Sequence, residues 1–219
     1  EGETNTSIDD YNIVVLSAGT NDYLDNTILG SINSKDTKTF YGALNHIMDK
    51  IEEASKKHVF GTKMRSVIYE ANEEGIRDIV NQQFEFAKII CDGGLVPIIE
   101  PEVDIHSEQK ELCEKILKDE IIRKLKEWNP ADKIMFKFTI PTVANHYLDL
   151  YDYDCVVRIV ALSGGYEIDE ACELLAKNNR MIASFSRALL QDLNAHQTQE
   201  EFDEALNNAI VKIYNASID

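Results

Sequence analysis

From about His58 onward, the 219-residue chain alternates short apolar runs with stretches of helical spacing. The apolar runs read "GTKMRSVI", "GLVPIIEPEV", "KIMFKFTIP", "CVVRIVALSGG" and "RMIASFS". Between them, "NEEGIRDIVNQQFEFAKIICDGG" sets Ile76, Ile79, Val80, Phe84 and Ala87 on one side before a glycine stop. "SEQKELCEKILKDEIIRKLKEWNP" opens with Ser107 and ends before Pro130. "EIDEACELLAKNN" and "TQEEFDEALNNAIVKIYNAS" follow the same period, the last with Thr198 as its N-cap. Strand-then-helix units, with a single helix between successive strands, predict a parallel sheet covered by helices. Two architectures satisfy that pattern, a (β/α) barrel and a doubly wound sheet.

Polar residues at the strand ends separate the two. Lys63 and Arg65 alternate along one strand, and Glu100 and Glu102 along the next. Lys137 follows on the third, Ser163-Gly164-Gly165 closes the fourth, and Ser186-Arg187 closes the fifth. A barrel draws its chemistry from the C-terminal ends of several strands. A doubly wound sheet concentrates it at one switch point. Five successive strands with polar ends predict an α/β, TIM-barrel-like fold. With "YNIVVLSAG" near the start, about six strands can be counted, so the barrel reads as incomplete, its first strands missing or replaced.

Lys137 is the least expected of these residues, because it sits between two phenylalanines. Alternation puts Ile134, Phe136, Phe138 and Ile140 on one face, and Met135, Lys137 and Thr139 on the other. An edge strand whose lysine snorkels to water would explain it blandly. In a barrel mouth, desolvation disfavours the ammonium and leaves an amine able to attack a carbonyl. The resulting imine draws electrons from the adjacent carbon, and Glu100 or Glu102 is placed to move protons. Ser163-Gly164-Gly165 before a helix offers backbone N–H groups to an anion, and Arg187 would complete a phosphate clamp. The run "EPEVDIH" also admits a hard-metal site of Glu100, Glu102, Asp104 and His106, with only one histidine.

Composition narrows the partners. The net charge of −17 disfavours nucleic acid and anionic membrane surfaces, so an anionic substrate needs a local cluster of positive groups. No apolar run approaches a membrane span and no signal peptide is visible. Four scattered cysteines read as reduced structural thiols of a cytoplasmic protein. The five histidines show no zinc spacing, and no metal or cofactor is expected. The chain opens at Glu1 without a methionine, as a trimmed or partial sequence would.

The segments "HVFGTKMRS", "GLVPIIEPEV", "KFTIP", "VVRIVALSGGY" and "IASFSRAL" resemble, in order and spacing, class I fructose-bisphosphate aldolases of the bacterial form. The resemblance covers about residues 56–219. It implies a metal-independent barrel that forms an imine with dihydroxyacetone phosphate while reversibly cleaving fructose 1,6-bisphosphate, with glyceraldehyde 3-phosphate as the other product. It further implies that Lys137 is the Schiff-base lysine, Glu100 the general acid/base, Glu102 its neighbour at the imine, and Lys63 a substrate-contacting proton-transfer residue. Ser163, Gly164, Gly165, Ser186 and Arg187, with Arg65, would hold phosphate.

The family's "LDQSGG"-like and "LKVDKG" stretches do not occur here. Residues 1–55 instead carry "IVVLSAGTNDYLDNTILGS", which resembles the GxND block of SGNH (GDSL-type) hydrolases, with Asn21 at the oxyanion position. The nucleophile and histidine blocks of that family are absent. The expectation is therefore a chimera, 1–55 and 56–219, joined between Ile51 and His58. Its function is aldolase cleavage with impaired turnover. The alternatives are an inactive sugar-phosphate-binding fragment, with homo-oligomers covering open sheet edges, and more remotely an esterase.

Overall fold

The computed structural model describes residues 33–36, 38 and 40–218. The strand expected at residues 11–19 and the Asn21-Asp22 loop lie outside them. The chain divides into two compact units, Glu1–Lys63 with Ala87–Pro97, and Met64–Phe86 with Ile98–Asp219.

In the first unit, helix α1 (Phe40–Lys56) buries Ile51 and Ala54. The end of helix α2 (Glu73–Asp92) belongs to the same unit. Its stop is made by Gly94, whose φ of 83° is left-handed, while Leu95 N–H returns to the Ile90 carbonyl at 3.1 Å. This is the glycine stop expected from the sequence, and it satisfies carbonyls that the helix end would otherwise leave bare.

Five strands form one sheet, β1 (Gly61–Ile68), β2 (Val96–Val103), β3 (Ile134–Thr139), β4 (Val156–Leu162) and β5 (Met181–Ala183), in the order β1-β2-β3-β4-β5. The pairs β2–β3, β3–β4 and β4–β5 are parallel. Each strand therefore lies beside its neighbour in sequence, and the order never reverses. A doubly wound sheet reverses at its switch point. Unreversed order is what successive staves of a (β/α) barrel show. The α/β, barrel-like expectation holds, with five strands among the described residues.

The two faces of the sheet differ as alternation requires. Phe136 and Phe138 of β3 are fully buried on one face. Phe136 lies 6.3 Å from the ring of Phe84 on α2, and Phe138 stacks on Tyr147 at 3.9 Å. Phe84 also meets Trp128 edge-on at 5.3 Å. Burying side chains of this size stabilises by about 1.5–3 kcal/mol each. Ser66 of β1 accepts a hydrogen bond from Gln83 of α2, so it too faces the helices. The opposite face carries Arg65, Glu100, Glu102, Lys137 and Thr139.

Helix α3 (Lys110–Leu125) links β2 to β3, and helix α4 (Ile168–Leu175) links β4 to β5. The expectation of one helix between each strand pair fails between β3 and β4. That connection holds only a five-residue 3-10 helix, Leu148–Asp152. Tyr147, just before it, covers Phe138 in place of a crossover helix. Ser107 does not cap α3 either. Its hydroxyl accepts Gln109 N–H in the preceding turn, at 3.3 Å.

After β5 come a four-residue helix, α5 (Arg187–Leu190), and helix α6 (Gln199–Ser217). Thr198 caps α6 as expected. Its hydroxyl accepts Glu201 N–H, and the Glu201 carboxylate accepts Thr198 N–H at 2.8 Å. Near the other end, Ser217 Oγ accepts Ala183 N–H at 3.0 Å and so caps the edge of β5. None of the four cysteines forms a disulfide, and burial pushes the Cys113, Cys155 and Cys172 thiols upward. Among the described residues, no helix is long and apolar enough to cross a membrane.

Candidate active site

The pairing Ile98↔Met135 and Ile99↔Phe136 fixes what stands beside what. One residue further along each strand come Glu100 and Lys137, on the face opposite Phe136. Lys137 Nζ lies 3.6 Å from Glu100 Oε1, with the side chains 14% and 4% exposed. That burial settles the question Lys137 raised: it does not snorkel to solvent from an edge, because β3 is a central strand with β2 and β4 on either side.

Two residues along β2, Glu102 accepts a hydrogen bond from Arg65 Nε of β1 at 2.6 Å. Hydrogen bonding to Glu102 holds the half-exposed Arg65 more firmly protonated, against the smaller effect of burial, and the Glu102 and Glu100 charges add to it. The face thus presents two cation–carboxylate pairs side by side. The family resemblance implied Arg65 as a phosphate-holding cation. The structure engages it with Glu102 and sets Glu100 against the lysine.

Thr139, next on the same face of β3, is buried and donates to the Val103 carbonyl at 2.6 Å. This rung ties the C-terminal ends of β2 and β3 together, immediately beyond Glu100 and Lys137. Lys63 is an exposed residue of the other unit, two positions before Arg65 on β1.

Ser163 is buried just past β4, and its carbonyl accepts Tyr166 N–H at 2.9 Å across the turn. Gly164 and Gly165 have φ of 65° and 120°. A Cβ on Gly164 would lie 2.7 Å from Ile105 Cγ2, so both space and backbone demand glycine there. Ser186 and Arg187 are exposed. Arg187 does not close a strand, contrary to expectation; it begins α5, four positions after β5 ends at Ala183. One bond joins the two segments: Ile168 N–H of α4 donates to Gln191 Oε1, at the C-terminus of α5, at 3.1 Å.

Asp104 and His106 do not join Glu100 and Glu102. Asp104 Oδ1 instead accepts the backbone N–H of His106 at 2.8 Å. Among the described residues, no three His, Cys, Asp or Glu side chains gather as a metal site.

One constellation near the site escaped the sequence reading. Lys110 and Glu114, a buried pair on α3, bond to the segment that leaves β3. In the sequence they are a lysine and a glutamate four apart on a helix, the commonest pattern of a solvated face. The only available signal was their place in a helix directly preceding the Lys137 strand.

No family model matches the chain. Among solved structures it is similar to the fructose-bisphosphate aldolase of Plasmodium falciparum, determined in complex with TRAP and a small-molecule inhibitor. The TM-score is 0.63 at 21% identity, over 80% of this chain and 61% of that one. The fold is aldolase-like. The chain spans less than two thirds of that aldolase's length, and at this identity the likeness speaks to architecture alone.

Proposed function

We propose that this chain performs class I aldolase chemistry, the reversible cleavage of fructose 1,6-bisphosphate through an imine on Lys137. The observation that carries the reading is the buried Lys137–Glu100 pair, 3.6 Å apart on one face of an aldolase-like sheet. The Lys137 amine adds to the ketone carbonyl, and the carbinolamine loses water to give a protonated imine. That imine takes up the electron pair of the breaking carbon–carbon bond while the departing aldehyde's hydroxyl gives up its proton. Glu100, beside the nitrogen, is the group to carry protons in both steps. Glu102, held by Arg65, supplies a second carboxylate along the same face. Lys63 keeps its proposed role as a substrate-contacting residue.

Phosphate recognition falls to the turn Ser163-Gly164-Gly165 with Ser186 and Arg187. The start of α4 is a weaker anion site than the sequence implied. Its Ile168 N–H is taken by Gln191, and Asp169 and Glu170 occupy its first turn. A sugar phosphate is thus the proposed small-molecule partner. A boundary near residue 56, with a separate origin for residues 1–55, remains part of this reading.

A second reading, phosphate-ester binding with little turnover, is favoured by one feature. The 219 residues contain neither of the family stretches that supply the further aspartate and lysine. Borohydride trapping with dihydroxyacetone phosphate, followed by peptide mapping, tests the imine directly. The adduct is expected on the Lys137 peptide and absent from Lys137→Met, whose circular dichroism should be unchanged. An adduct elsewhere, or none, overturns the reading.

A further inference from the structure

Three polar residues of α3 form a line at four-residue spacing, Lys110, Glu114 and Lys118, and all three grip the β3–β4 connection. Lys110 Nζ donates to Glu114, to the Ile140 carbonyl at 2.9 Å and to Thr142 Oγ1 at 3.1 Å. The second oxygen of Glu114 accepts Thr142 N–H at 3.0 Å. Lys118 donates to the His146 carbonyl at 2.8 Å and pairs with Asp149 at 2.7 Å. The His146 ring lies 3.1 Å from the Glu114 carbonyl. This connection carries no long helix of its own, and α3 holds it residue by residue.

The first two members are buried, Lys110 and Glu114 side chains being 10% and 1% exposed. An apolar pair of similar volume would serve stability as well or better, since desolvating two charges offsets most of their attraction. What an apolar pair cannot supply is direction. The bonds from Lys110 and Glu114 fall on the backbone either side of Pro141, at Ile140 and Thr142, three and five residues beyond Lys137. The same helix follows β2, which carries Glu100. The exit of β3 is thereby fixed to the element that continues from its partner strand.

We infer that the buried Lys110–Glu114 pair is a positioning device that holds β3 in the register setting Lys137 against Glu100. The inference rests on the imine reading for its chemical purpose. Its geometric content, that the two pairs are coupled, stands apart from turnover.

The test is trace acetylation of the intact chain across pH 6–10, with the rate at Lys137 read by peptide mass spectrometry. The exposed Lys115 serves as internal control. Four proteins close a cycle: the parent, Glu100→Gln, Lys110→Met with Glu114→Leu, and all three changes together. Glu100→Gln should change Lys137 labelling severalfold in the parent and by less than twofold once the buried pair is removed, with Lys115 unmoved. An equal effect in both backgrounds overturns the inference, as does no effect of Glu100→Gln in the parent. If the doubly substituted chain does not fold by circular dichroism, Glu114→Gln replaces it under the same criteria. A chain that shows the coupling yet forms no borohydride-trapped adduct upholds the positioning role and overturns the aldolase reading. A trapped adduct with no coupling does the reverse.

Discussion

The Thr139 hydroxyl donates to the Val103 carbonyl at 2.6 Å, a side-chain rung laid across the ends of two parallel strands. Both residues are buried, so neither group can turn to water instead. Thr139→Val keeps the shape and removes the donor. It should destabilise the chain by about 1–3 kcal/mol, the scale of an orphaned buried acceptor. Urea unfolding of the two proteins checks this, and equal midpoints would show the rung to be inert.

Glu120 on α3 joins Arg123 of its own helix at 2.7 Å and Arg77 of α2 at 3.0 Å. Burial opposes ionisation of this carboxyl, but the two arginine hydrogen bonds and charges outweigh it and hold it below the ordinary range. A folded-state pKa below the unfolded one stabilises above the unfolded value, and that stability is lost as pH falls through the folded value. The loss should therefore appear below about pH 4.5, the ordinary carboxyl value. Arg77→Gln should reduce stability at pH 7 only modestly, because solvent screens the pair. The deficit should shrink on acidification. Denaturant melts at pH 7 and pH 3.5 decide it; a deficit independent of pH would assign Arg77 a packing role.

Arg187 stands exposed at the first position of α5, next to Ser186. Arg187→Ala should weaken phosphate-ester binding by roughly 1.5–3 kcal/mol, the scale of a charge-assisted hydrogen bond. That corresponds to a roughly ten- to hundredfold higher Kd. Calorimetry with dihydroxyacetone phosphate measures it, and an unchanged Kd would remove Arg187 from the phosphate group.

Imine chemistry activates the carbonyl through a positive nitrogen and asks nothing of a divalent ion. Cleavage of fructose 1,6-bisphosphate should accordingly persist in EDTA. Activity that disappears on chelation and returns with zinc would overturn the imine reading.

How much of this was legible follows from which interactions are local. The five described strands were readable because apolar runs bounded by glycine and charge are a local pattern. Thr198 was readable as a cap because its partner Glu201 is three residues away. Lys137 announced itself by breaking the apolar run around it. The buried Lys110 did not, since its Ile140 and Thr142 partners lie about thirty residues on, and a Lys–Glu spacing of four fits water equally well. Arg65 was expected at a strand end but lies in the interior of β1, and its bond to Glu102 spans 37 residues, which no local pattern encodes. The missing β3–β4 helix was hidden for a related reason: Tyr147 performs the covering through one stacked ring, which has no period to detect.

Because the sheet order follows the chain order, it also sets a schedule for assembly. Each strand leaving the ribosome finds its partner already made, one connection back, so loop-closure penalties stay small and roughly equal. The exception is β5. β5 pairs with β4 over only three residues, Met181 to Ala183, too few to hold a strand alone. Its outer edge is closed by Ser217, 34 residues downstream. β5 is therefore held from behind, and a chain cut within α6 would leave β5 loose and α5 without part of the apolar cluster it packs into.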